Sequence, residues 1–221
     1  MDREKYINIQ ITRSESKFNY CKVSAFDVIS YRDILNDANI CGSIGPVICM
    51  GTRNGREVDL FRAIFYSFRF WSMLMAMLEL SKPYPHSLLP LAEMYPVRSN
   101  CKNIDRSSVV GVEINPQAKR KDILIASFDD LPQEWTGRFG VLFSNSFDHS
   151  MDPERTVKEW IRVVRPGGVL IILWGDAEST ETDLVGNISE QYLSGIFKLP
   201  KLNIDLPRSI CGYNQVIFKR T

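Results

Sequence analysis

At 221 residues the chain is long enough to bury a full core and short enough to form one domain, here taken as 1–221. Lys and Arg number 27 against 26 Asp and Glu, a net charge of +1, so no global field recruits nucleic acid or an anionic membrane and a small or locally recognised partner is expected. The five cysteines (Cys21, Cys41, Cys49, Cys101 and Cys211) are scattered and never form a C-x-x-C pair, which excludes a disulfide framework and a zinc knuckle. With a charged amino terminus and no apolar signal segment behind it, a reducing, cytoplasmic setting is expected.

Residues 1–45 read as a lead-in. Tyr6 to Thr12 alternates as a strand does, a polar turn follows, and Phe18 to Val23 returns, so an amino-terminal hairpin is expected. Phe26, Ile29, Ile34, Leu35 and Ala38 then space a short helix, closed by Gly42, Gly45 and Pro46. Val47 to Met50 is an apolar strand that runs into the turn Gly51-Thr52-Arg53-Asn54-Gly55, and this turn opens directly into a helix. Such a turn aims unpaired backbone N–H groups and the positive end of the helix dipole above the strand's carboxyl end, where a nucleotide-like cofactor sits. Asn54 with Glu57 three residues on has the spacing of a capping box, so Glu57 reads as a cap.

The helix that follows carries one apolar stripe from Leu60 through Phe61, Ile64, Phe65, Phe68, Trp71, Leu74 and Met75 to Leu78. Tyr66, Phe70, Met73 and Met77 put bulk on its other faces, so cover by the next segment or by a second copy of the chain is expected, a homo-oligomer joined through residues 58–80 or the insertion. Trp71 to Leu80 is too short to span a bilayer. Residues 81–108, broken by four prolines, read as an irregular insertion; its His86 is a surface or lid residue, and Lys82, Arg98, Lys102 and Arg106 leave a local nucleic-acid contact open.

Strands are then expected at Val109–Glu113, Ile123–Ala126 and Gly140–Ser144, with Asn115-Pro116 starting a short helix. Asp152 caps and Pro153 starts the clearest helix, through Val164, which Pro166-Gly167-Gly168 ends. The apolar strand Val169–Trp174, a helix near Val185–Phe197 and a closing strand Gln215–Lys219 complete the chain. Strands alternating with helices and apolar on both faces mean an α/β fold, a mostly parallel sheet covered on both sides.

Four segments in order, Gly51-x-Arg53-x-Gly55-x-Glu57, Val109 to Pro116, Phe128-Asp129-Asp130-Leu131-Pro132, and Ser144 to His149 leading into Trp160 to Gly168, resemble the class I S-adenosylmethionine-dependent methyltransferases, nearest the type 11 group. The resemblance covers about Val47 to Trp174 without the insertion. It implies a Rossmann-like seven-stranded sheet with an antiparallel last strand, the cofactor S-adenosyl-L-methionine across the carboxyl ends of the first strands, and in-line methyl transfer to an acceptor, expected to be a small molecule.

In that resemblance the turn Gly51, Thr52, Arg53, Asn54 and Gly55 wraps the methionine part. Glu113 accepts hydrogen bonds from the ribose hydroxyls, Ile114 lies against adenine beside Asn115, Phe128 and Asp129 flank the base, and Asn145 and Ser146 face the methyl. His149, the one histidine near this site, is the candidate general base, with a backbone-bonded loop residue as the other reading. Asp130 reads as a solvated turn residue.

Three positions depart from the pattern. Cys49 replaces the acid that usually ends the first strand, Ser127 replaces the acid after the third, and Arg53 stands at the middle glycine, either paired with the methionine carboxylate or turned outward. Gly51 and Glu113 lie 62 positions apart, roughly 40 more than the roughly 20 of a plain nucleotide-binding unit, which places an insertion between the first core helix and the second core strand. A methyltransferase-fold binding or partner subunit without activity is the alternative. A nicotinamide oxidoreductase lacks its G-x-G-x-x-G here.

Overall fold

A computed structural model describes residues 2–16, 21–40, 44–66, 101–204 and 206–221. Six strands form one sheet among these residues: β1 (Val47–Met50), β2 (Val109–Glu113), β3 (Ile123–Ile125), β4 (Phe139–Ser144), β5 (Val164–Trp174) and β6 (Asn214–Lys219), in the order β3-β2-β1-β4-β5-β6. All neighbours are parallel except β5 and β6, which run antiparallel. Six strands stand where seven were expected. Among the described residues the outer flank of β6 carries an isolated antiparallel bridge between Lys201 and Phe218, with Leu202 donating to the Ile217 carbonyl and Lys219 to the Pro200 carbonyl.

Alternate residues of the central strands feed two cores, as a strand's period of two requires. Val47, Cys49, Val141, Phe143, Val169 and Ile171 face α2 (Ala25–Asp37) and α3 (Arg56–Phe65). Ile48, Met50, Val110, Val112, Leu142 and Leu170 face α4 (Pro153–Val163) and α5 (Glu190–Phe197), where fully buried Trp160 is the largest side chain. Both faces of the sheet are thus covered, and the order reverses between β1 and β4, which opens a crevice at the strands' carboxyl ends.

Several local expectations need correction. The amino-terminal hairpin is not formed: Arg3–Ser16 is a helix, α1, residues 21–23 are irregular, and 18–20 lie outside the described residues. A capping box does exist, but at Ser24, whose hydroxyl accepts from the Asp27 N–H while the Asp27 carboxylate accepts from the Ser24 N–H at 2.9 Å. At α3 the cap is Gly55, with φ of 82°, and Asn54 Oδ1 accepts from Arg56 N–H at 3.1 Å, so the Asn54–Glu57 box is absent and Glu57 turns into the interior.

Helix α3 ends at Phe65, and the rest of the expected apolar stripe, like His86, Lys82 and Arg98, lies outside the described residues. Pro166-Gly167-Gly168 does not end α4. It is the first part of β5, with Gly167 N–H donating to the Arg220 carbonyl and Arg220 N–H to the Gly168 carbonyl just past β6, and α4 stops at Val163 as the chain turns straight into the strand. Helix α5 starts at Glu190, capped by Ser189, and the expected helical stretch from Val185 is irregular before it. No helix among the described residues is long and apolar enough to cross a membrane.

Candidate active site

Parallel pairing of β1 with β2 sets Met50 beside Val112, so the turn after β1 and the acid that ends β2 meet despite the long sequence between them. Gly51 N–H donates to the Val112 carbonyl at 2.9 Å, and Arg53 N–H donates to Glu113 Oε2 at 2.7 Å. The other carboxylate oxygen of Glu113 accepts from Asn115 N–H at 3.0 Å. Two backbone donors fix this carboxylate while leaving lone pairs on both oxygens for a diol.

Above these residues lies a cavity that is part open to solvent. Of the expected residues, Gly51, Arg53, Glu113, Ile114, Phe128, Asp129, Ser146 and His149 line it. Thr52, Asn54, Gly55, Asn115 and Asn145 stand behind the wall. Thr52 packs on Gly111, Asn115 is fully buried with its side-chain amide on Ser14 Oγ at 3.2 Å, and Asn145 donates to Glu57 Oε1 at 3.3 Å.

Val112, Ile114, Ala126 and Phe128 form an apolar shelf, and Phe128 is held edge-on to Trp160 at 5.6 Å. At the missing acid's position Ser127 donates to Asp129 Oδ1 at 2.6 Å, and Arg3 pairs with the same oxygen at 2.7 Å, so the carboxylate two residues on is already held in place. Asp130 is exposed, as expected of a turn residue.

His149 ends a short helical turn after β4. Its Nδ1 lies 3.0 Å from the Thr182 carbonyl and 2.9 Å from Asp183 Oδ1, and Asp148 Oδ1 is 3.8 Å from Nε2. Burial disfavours the charged ring, yet the hydrogen bond to Asp183 and the nearby Asp148 outweigh it and raise the His149 pKa above its ordinary value, while Asp183 is lowered chiefly by that same bond. Asp148, His149 and Asp183 each bring a ligand atom within 4.8 Å of the others, and Arg13, 3.4 Å from Asp183, already gives that acid a positive partner.

One whole wall comes from residues that sequence reasoning missed. Arg3, Tyr6, Gln10 and Arg13 of α1 face the cavity at helical spacing, and Tyr6 O–H donates to the carbonyls of His149 at 2.8 Å and Thr182 at 2.9 Å. The signal was present as a polar stripe, not an apolar one.

A crevice at the switch point of a mostly parallel sheet, walled by a glycine turn and a strand-end acid, defines a Rossmann-like nucleotide-cofactor fold. Residues 89–172 match the type 11 family described as a methyltransferase domain, a stretch that begins after the glycine turn and takes in β2 to most of β5. A solved structure of similar fold is the 1,6-didemethyltoxoflavin-N1-methyltransferase of Burkholderia thailandensis with bound 1,6-didemethyltoxoflavin and S-adenosylhomocysteine, 13% identical, with TM-score 0.56 over 100% of this chain and 91% of that one. An S-adenosylmethionine-dependent methyltransferase from Aquifex aeolicus is 12% identical with TM-score 0.49, each chain covered in full, and the aminoglycoside resistance methyltransferase NpmB1 is 14% identical with TM-score 0.47 over 90% and 94%. Among curated proteins none matches the sequence. The sheet has the fold of the Burkholderia methyltransferase, and residues 89–172 match a methyltransferase domain; fold and match together support an S-adenosylmethionine-dependent methyltransferase.

Proposed function

We propose that the chain transfers the methyl group of S-adenosylmethionine to a small-molecule acceptor by in-line displacement. The observation that carries this reading is the convergence of the Gly51 turn and Glu113 on one cavity, joined by the Arg53 N–H to Glu113 bond. The donor set fits the cofactor: a fixed carboxylate for the ribose hydroxyls, an apolar shelf of Ile114 and Phe128 for adenine, and Arg53 for the methionine carboxylate. When bound, the cofactor supplies an electrophilic methyl on a sulfonium, so no covalent residue of the protein is required.

The chain's own work is orientation and exclusion of water. Backbone N–H groups of the Gly51, Thr52, Arg53, Asn54 and Gly55 turn and the Asn115 and Asn145 supports hold the binding wall. Ser146 and His149 border the space beyond it, and Asp129 stays with Arg3 at the adenine end. His149 is the catalytic candidate by position, and acts as a base only once its raised pKa is passed; below that, it orients Asp183 as an imidazolium. Closure of the cavity by α1 and the absence of a net field support a small acceptor, as does the small heterocycle named with the Burkholderia enzyme.

Titration calorimetry tests the reading. S-adenosylhomocysteine is expected to bind the native chain, and Glu113→Ala to bind it more than about tenfold more weakly. Unchanged affinity in the variant would mean the ribose is held elsewhere. The second reading, a binding subunit without activity, is favoured by Cys49, which leaves β1 without its usual acid; absence of heat with both the cofactor and its demethylated product would establish it.

A further inference from the structure

Glu57 is a buried carboxyl group that the site described so far does not use. It is 4% exposed, Oε1 accepts from the Cys21 thiol and from Asn145 Nδ2, and Oε2 has no hydrogen-bond partner among the described residues. A carboxyl group half unpaired in the interior is costly, and such groups concentrate at functional sites. Burial raises its pKa to about 7, although the charge of Arg53 acts the other way.

From Glu57 a hydrogen-bonded chain reaches the cavity. Asn145 donates to Glu57, so its carbonyl oxygen is left to accept from Ser146 Oγ at 3.0 Å, and Ser146 stands on the wall against Gly51. Arg53, on the same wall, provides a cation beside this acid. A cation on the wall of this cavity and an acid behind it, relayed by Asn145 and Ser146, complement the carboxylate and ammonium of a free α-amino acid, and Cys49 offers no charge there.

We propose that Glu57 is the positioning residue for the ammonium group at the cofactor's amino-acid end, acting through Asn145 and Ser146. The proposal rests on the methyltransferase reading. Its test is a cycle of two proteins, native and Glu57→Gln, against S-adenosylhomocysteine and the same molecule lacking its amino group. Gln keeps an acceptor for Asn145 and removes the charge. The native chain is expected to prefer the aminated ligand by about tenfold or more, and Glu57→Gln to lose that preference while binding the deaminated ligand as the native chain does.

Equal affinity of the native chain for the two ligands overturns the proposal, and this arm decides even where the variant does not fold. A variant that keeps the preference overturns it as well. A native chain that binds neither molecule overturns the methyltransferase reading instead.

Discussion

Gly51 holds its backbone at φ of 69°, and a Cβ there would sit 2.4 Å from Ser146 Oγ. The left-handed angle and the close approach both demand glycine. Gly51→Ala is therefore expected to cost about 1–3 kcal/mol, read as a lower urea midpoint with unchanged slope. Glu57 makes a second statement at this scale. Its folded pKa, about 7 against an ordinary 4.5, means that the folded chain keeps a proton the unfolded chain releases. The stability this provides is complete below pH 4.5 and is lost as pH rises through 7, a change of about 3 kcal/mol at 1.36 per unit. Glu57→Gln should remove that share of the slope and be the more stable protein at pH 8. A variant whose urea stability between pH 4.5 and 7 falls as steeply as the native chain's would show that Glu57 is ionised throughout.

Among the elements, α1 separates what could be read from what could not. Its isoleucines at 7, 9 and 11 alternate as in a strand, and strand is the wrong period because on a helix the three point different ways, all partly buried, with Ile7 on the cavity wall. The face that docks is polar, Arg3, Tyr6, Gln10 and Arg13, since it meets a cavity and carbonyls and not a greasy core. Apolar periodicity is blind to such a helix. For the same reason Glu57 was read as a cap: the spacing to Asn54 was right, but Gly55 in its left-handed conformation already starts α3. By contrast α4 and all four parallel inner strands were legible, because Asp152-Pro153 and the unbroken apolar runs each have one physical meaning. Removal of residues 2–16 is expected to leave the sheet cooperative, since α1 buries only Tyr6 and Ser14 fully, while S-adenosylhomocysteine leaves at least about tenfold faster. A dissociation rate equal to the native one in stopped flow would show that α1 is no part of the binding wall.

Across the whole molecule, the chain that leaves the sheet after α3 and returns at β2 is clamped at both stems. Asp122, fully buried at the head of β3, receives Arg62 of α3 at 2.6 Å and Arg120 at 2.9 Å, and Arg120 also holds Asp59 at 2.7 Å. Arg62 reaches on to the Val109 carbonyl at 3.0 Å, the first residue of β2. Removing Asp122 leaves two largely buried guanidinium groups with Asp59 as their one shared carboxylate, so Asp122→Ala is expected to lower stability by about 3 kcal/mol, measured by urea unfolding. The glycine turn and the strand-end acid could be recognised from sequence on either side of the long spacing, but the clamp could not, because its four charges are set by tertiary approach and by no local pattern.

Arg120 also donates to the carbonyls of Asn54 and Gly55, so the brace for the stems is fastened to the glycine turn after β1. With the stems on either side tied down in this way, replacing residues 67–100 by a short linker is expected to keep the Gly51 turn and Glu113 together, read in calorimetry as unchanged affinity for S-adenosylhomocysteine.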